Sequence, residues 1–120
     1  MSGCPFCNIE KERYIAENEF SFAVYDIHPV TKGHTLIIPK NHIQNYFDLP
    51  EKEQESLWQL LNSVKKLLGE KYQPDGFNVG ININRSAGQS VMHSHIHIIP
   101  RYIRFSRRGY GIEEVVKKSL

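Results

Sequence analysis

The stretch Gly88–Arg101, GQSVMHSHIHIIPR, decides how this chain of 120 residues is read. Its histidines, His93, His95 and His97, alternate with Ser94, Ile96 and Ile98. A period of two is that of a β-strand, whose successive side chains point to opposite faces. The alternation predicts one strand with all three imidazoles on one face, neighbours roughly 7 Å apart, and with Ile96 and Ile98 turned into a core. Half of the six histidines of the chain fall within five residues. A row of imidazoles is a poor choice for solvation and a good one for handling protons, phosphate or metal.

Working outward, the run Asn84-Arg85-Ser86-Ala87-Gly88 is a turn-rich loop leading into this strand. Before it, Asn78–Ile83 alternates Val79, Ile81 and Ile83 with polar or small residues, which predicts a strand. Further back, Phe20–Asp26 (FSFAVYD) and His34–Pro39 (HTLIIP) read as strands. Pro29 and Gly33 in the link between them are turn formers, so the two runs form an antiparallel pair. Leu36 and Ile38 share a face with His34, opposite Thr35 and Ile37. Between the strand pairs, Asp48-Leu49-Pro50-Glu51 reads as a helix start. Asp48 would cap it, with Pro50 in the first turn and Glu51 and Glu53 near the positive end of the dipole. Leu57, Leu60, Leu61, Val64, Leu67 and Leu68 follow at helical spacing, with Trp58 beside them, and the helix ends near Lys71. This stripe is core rather than a cofactor box. Strand pair, helix, strand pair argues for an α+β domain, an antiparallel sheet with one long helix on one face.

The chain is short enough for a single domain over residues 1–120. Its 40% hydrophobic and 23% charged content is that of an ordinary globular protein. A net charge of +2 is too small to argue for nucleic acid. From Arg101 onward six Lys or Arg stand against two Glu, a locally basic end that suits an anionic ligand, although solvent is the default company of such a surface. No apolar run approaches the length of a membrane span and no apolar leader is present, so a cytoplasmic protein with no membrane partner is expected. Cys4-Pro5-Phe6-Cys7 can be a redox pair, half of a zinc site, or two idle thiols. Redox pairs of this spacing usually cap a helix after a strand, and no strand precedes this one.

Two chemistries fit the histidine row. Two imidazoles on one strand, with Asp26 or His34 as a third ligand, could hold a catalytic zinc. No carboxylate lies within the motif to serve as the base. Alternatively, an imidazole nitrogen can attack an α-phosphate and form an N–P bond that water then cleaves, which splits one hard displacement into two easier ones. The neighbouring imidazoles would hold phosphate oxygens and set the tautomer of the nucleophile. The small residues Gly88-Gln89-Ser90 would hold the same charge with backbone amides and a hydroxyl.

The motif His93-Ser94-His95-Ile96-His97-Ile98-Ile99 resembles that of the histidine triad (HIT) superfamily of nucleotide hydrolases and transferases. The likeness runs over about residues 4–104. Asp26-Ile27-His28-Pro29 with Gly33-His34-Thr35-Leu36-Ile37-Ile38-Pro39-Lys40-Asn41-His42 resembles the first hairpin of that family. Gly88-Gln89-Ser90-Val91 resembles its phosphate loop, and Pro100-Arg101 its exit from the triad strand. Ser94 departs from the pattern, which has an apolar residue there; by alternation it points away from the site and leaves the triad intact. The resemblance implies a HIT-like fold, an antiparallel sheet of about five strands with one long helix packed on it, and leaves the tail 105–120 unassigned.

The resemblance also implies roles. His95 would be the nucleophile, His97 would contact the α-phosphate, His93 would orient its neighbours, and His34 would face the triad from the second strand. Asp26 would grip the ribose hydroxyls. Phe6, Val24, Ile27 and Leu36 would line the base pocket, and Asn82, Gln89 and Ser90 would surround the phosphates and leaving group. Some branches hold a structural zinc, which here would fall to Cys4, Cys7, His42 and His93. Small members with this N-terminus resemble diadenosine polyphosphate hydrolases, so a nucleotide hydrolase acting through a covalent nucleotidyl-histidine is expected. Nucleoside phosphoramidase and nucleotidyltransferase are the near alternatives, and a purine nucleotide-binding module the non-enzymatic one. The superfamily commonly forms homodimers through the helix and a sheet edge.

Overall fold

A computed structural model describes residues 3–103. The basic tail, with Arg104, Arg107, Arg108 and the Ile112–Lys118 run, lies outside the described residues. Five strands, β1 (Tyr14–Glu17), β2 (Ser21–Tyr25), β3 (Thr35–Pro39), β4 (Gly76–Gly80) and β5 (Ile96–Arg101), form one sheet in the order β1-β2-β3-β5-β4. Every pairing is antiparallel. The α-helix, α1 (Glu51–Tyr72), crosses one face. The expected α+β architecture is the observed one.

The period-two pattern sorts the sheet into two apolar faces. Ala23, Ile37, Ile96 and Ile98 point toward α1 and meet its stripe Leu57, Leu60, Val64 and Leu68. Each of these Ile, Leu and Val side chains contributes about 1.5–3 kcal/mol when fully buried, so this face anchors the fold. The opposite face carries Phe22, Val24, Leu36 and Ile38, covered by Phe6, Ile9 and Tyr14 from the N-terminal segment. The second face is the one to which His97 turns, because its neighbours Ile96 and Ile98 turn to the helix. The helix therefore closes one side of the sheet and leaves the histidine side to be closed by about ten N-terminal residues.

Several details differ from the sequence expectations. The strand β1 lies at the sheet edge and its YIAE sequence carries no clean alternation. Asp48 does not cap α1; it ends a separate 3₁₀ turn, Tyr46–Asp48, whose cap is Asn45, with the Phe47 N–H donating to the Asn45 side chain. Pro50 itself stands at the N-cap of α1 with no side-chain cap, and its carbonyl accepts from the amides of Glu53 and Gln54. The strand expected over Asn78–Ile83 is displaced to Gly76–Gly80, with Phe77 packed on the core and Val79 exposed. At the β2–β3 turn, Gly33 has a φ of +93° and a Cβ there would lie 2.9 Å from the Tyr72 ring, so the close approach of the hairpin to the end of α1 requires glycine.

The histidine row is only partly in the ladder. β5 starts at Ile96, so His97 is a strand residue while His93 and His95 lie in its lead-in. The cause is the end of β3: Pro39 has no N–H to give. Its carbonyl accepts instead from the His93 ring, Nε2 to O 2.7 Å, and the Ser94 amide goes to the Ile43 carbonyl at 2.8 Å. The chain peels off the sheet there, and the three imidazoles take three different surroundings.

Candidate active site

Backbone contacts fix the protonation pattern of His95. Its Nδ1 lies 2.8 Å from the His93 carbonyl, and a carbonyl only accepts, so Nδ1 carries the proton. The lone pair is then on Nε2, and His95 lines a cavity of about 290 Å³. Burial pushes the His95 imidazole below its ordinary pKa, which keeps it neutral with its lone pair on Nε2. Phe6 meets the ring edge-on, with centroids 5.0 Å apart and planes at 84°.

A second chain of contacts fixes His97. The Val30 amide donates to His34 Nδ1 at 3.0 Å, which leaves the His34 proton on Nε2. That nitrogen is 3.0 Å from His97 Nδ1 and 3.6 Å from the Asp26 carboxylate. With His34 donating, His97 Nδ1 accepts and its proton sits on Nε2. His95 thus offers a lone pair and His97, which lines the same cavity, offers a hydrogen-bond donor. The in-register row Tyr14, Val24, Leu36, His97 runs across four strands, and its members Val24, Leu36 and His97 line the cavity.

On the other side of His95, Cys4, Cys7, His42 and His93 converge, with their ligand atoms all within 4.8 Å of one another. Cys4 Sγ is 3.4 Å and Cys7 Sγ 3.6 Å from His93 Nδ1, and Cys7 Sγ is 3.2 Å from His42 Nδ1. The two Nδ1 atoms face each other at 3.2 Å. Because His93 Nε2–H donates to the Pro39 carbonyl, its Nδ1 carries a lone pair. Burial lowers the His93 pKa, which keeps that lone pair available. Lone pairs and thiols turned inward on one another are what a cation satisfies. Ligands bound at about 2.0–2.3 Å around a tetrahedral zinc stand roughly 3.3–3.8 Å apart, so this set fits that ion.

The structure brings Phe6, Val24, Asp26, Ile27, Leu36, Ser90, His95 and His97 together around the cavity. Asn82 and Gln89 are buried and do not line it. The Gln89 amide ties its loop to the segment after β3: Nε2 donates to the carbonyls of Gln44 and Val91, and Oε1 accepts from the Asn84 amide. Ser94 is buried, its side chain outside the cavity lining. Pro5, Ile9, Arg13, Tyr25, His28 and Val91 also line the cavity without having been expected there. Pro5, Tyr25, His28 and Val91 adjoin expected residues in the sequence and were legible by proximity; Ile9 and Arg13 carry no motif signal.

The description of the HIT domain matches residues 9–103, most of the chain. The chain belongs to the HIT family. Among HIT relatives, an adenosine 5'-monophosphoramidase (hnt1) of Schizosaccharomyces pombe is 38% identical over 102 residues, covering 82% of this chain and 74% of that one. A bis(5'-adenosyl)-triphosphatase of Dictyostelium discoideum is 36% identical over 93 residues, covering 78% and 62%. A solved structure of a Zn-bound histidine triad family protein from Mycobacterium smegmatis superposes with a TM-score of 0.80 at 31% identity, covering 97% of this chain and 89% of that one. Among the described residues, no helix of this HIT protein is long and apolar enough to cross a membrane.

Proposed function

We propose that this HIT protein is a hydrolase of nucleoside phosphate derivatives that works through a covalent nucleotidyl-His95. The observation that carries the reading is the 2.8 Å contact from His95 Nδ1 to the His93 carbonyl, which leaves Nε2 free as a nucleophile beside the cavity. His95 Nε2 attacks the α-phosphorus; the N–P bond forms as the bond to the leaving group breaks. The imidazole becomes cationic in that step, and the His93 carbonyl on its Nδ1–H stabilises the charge. His97 Nε2–H holds a non-bridging oxygen, with His34 and Asp26 behind it fixing its tautomer. The Ser90 hydroxyl donates to the leaving atom. Water then attacks phosphorus, the N–P bond breaks, and a nucleoside monophosphate leaves.

The rest of the cavity suits a nucleotide. Asp26 offers an acceptor pair to the ribose hydroxyls, and Phe6, Val24, Ile27 and Leu36 offer an apolar slot to the base. At about 290 Å³ the space sits at the small end of ligand sites, enough for one nucleotide with the leaving group outside. Asn82 and Gln89 act by shaping the phosphate loop. The relatives named as a triphosphatase and a phosphoramidase differ in leaving group. Both leaving groups are compatible with attack at the α-phosphate, and a nucleotidyltransferase would share that first step. A binding module without turnover would have no use for the lone pair at His95.

We infer a structural zinc at Cys4, Cys7, His42 and His93. Four protein ligands would close the coordination shell, so a zinc held by them would cross-link the N-terminal segment to the triad and leave no position for substrate. The segment it would hold carries Phe6, the residue packed on His95. A cytoplasmic location and a homodimer complete the proposal, the latter tested by light scattering. The enzymatic reading is tested by incubation with adenosine phosphoramidate and diadenosine polyphosphate and by mass spectrometry of the protein. A transient adduct of one nucleotide is expected, and His95→Ala should lose it together with at least about 1,000-fold in turnover. Absence of turnover and adduct on every substrate sinks the enzymatic reading.

A further inference from the structure

The cavity has a cation at one end for which the proposed chemistry has no use. Arg13 lines it, is exposed, and has no hydrogen bond or ion pair from its side chain among the described residues. It is the only lysine or arginine among the lining residues. It also stands immediately before Tyr14, the far end of the row Tyr14, Val24, Leu36, His97. Three strand spacings separate Tyr14 from His97, about 14 Å at ~4.8 Å each. Arg13 is therefore too far from His95 and His97 to serve the α-phosphate. A nucleotide lying along the row, with its phosphate at His97 and its base over Leu36 and Val24, brings the outer edge of that base to β1.

We propose that Arg13 reads this outer edge and sets a preference for guanine over adenine. The inference rests on the nucleotide reading of the cavity. The corner of a purine farthest from its ribose carries O6 in guanine and an amino group in adenine. A guanidinium has only donors. It pairs with guanine O6 and N7, both acceptors, whereas adenine sets its N6 amino group against those donors.

The test compares GMP and AMP by calorimetric binding, and guanosine and adenosine 5'-phosphoramidates of the same amine by kcat/KM, in the full-length protein. A bidentate contact at a solvent-facing rim falls at the low end of base discrimination, about a fivefold preference for guanine. Arg13→Ala should erase it, with the loss falling on the guanine ligands and appearing in Kd and KM. Arg13→Lys, which keeps the charge but not the fork, should restore less than half of the preference on a logarithmic scale. Equal wild-type affinity for GMP and AMP overturns the proposal, as does an equal loss of both in Arg13→Ala, which would mean stacking or general electrostatics. Binding of neither nucleotide would overturn the nucleotide reading itself, and this proposal with it.

Discussion

His95 stands between two clusters built from much the same side chains. On one side are Cys4, Cys7, His42 and His93; on the other, Asp26, His34 and His97; in each, the potential ligand atoms lie within 4.8 Å of one another. By residue type and spacing both could hold a metal. The backbone separates them. The outer nitrogen of His93 donates to the Pro39 carbonyl, so its inner nitrogen is a lone pair turned toward two thiols. The outer nitrogen of His34 accepts from the Val30 amide, so its inner nitrogen carries the proton toward His97. A metal there would require His34 to give up its last ring proton. One hydrogen bond of opposite direction suits one set to binding a metal and, in the proposed mechanism, the other to holding a phosphate through His97.

If the two sets work separately, they can be broken separately. Among changes within the two sets, the largest effect is expected from His34→Ala, which frees His97 to take either tautomer. Its kcat should fall about 100-fold, with zinc content measured by atomic emission unchanged. A parallel loss of zinc would show that the sets are not independent. Next comes Cys4→Ser. Zinc affinity should fall and the melting temperature drop by roughly 5–10 °C, with kcat/KM down about tenfold because Phe6 and His93 lose their anchor. Scanning calorimetry with and without chelator checks it, since in the variant the chelator should no longer matter. The smallest effect on activity is expected from Gly33→Ala. A positive φ and the Tyr72 ring make it destabilising by about 1–3 kcal/mol, measured by urea unfolding. Activity should fall only a few-fold through the adjacent His34, and zinc should not change.

How far the sequence reached follows the same division. The strands β2 and β3 were legible as short apolar runs bounded by turn formers, buried on both faces as Ile37 and Ile38 are, and the helix stripe by its spacing, as with Leu57 and Leu60. β1 was not, since an edge strand of four residues buries too little to impose a pattern. The helix start was misread because Asn45, three residues before Asp48, caps a separate turn. The triad was legible as a motif, yet one straight strand was the wrong picture of it. Pro39 ends the ladder and sends His93 to the cysteines, a tertiary event that no local pattern announces. The tautomers of His95 and His97 depend on the His93 carbonyl and the Val30 amide, which carry no side-chain signal at all. Arg13 was invisible for a similar reason: a lone arginine before a short edge strand gains meaning only once the row from Tyr14 to His97 is assembled.

The most direct test of this division of labour is a count of zinc. Metal titration of chelator-stripped protein, followed by competition with a chromophoric chelator, should find one tight site per chain. In the Cys4→Ser, Cys7→Ser double variant, whose Asp26, His34 and His97 are untouched, it should find none. A second tight site in the wild-type protein, or one surviving in the double variant, would contradict the assignment of metal to one cluster and proton positioning to the other.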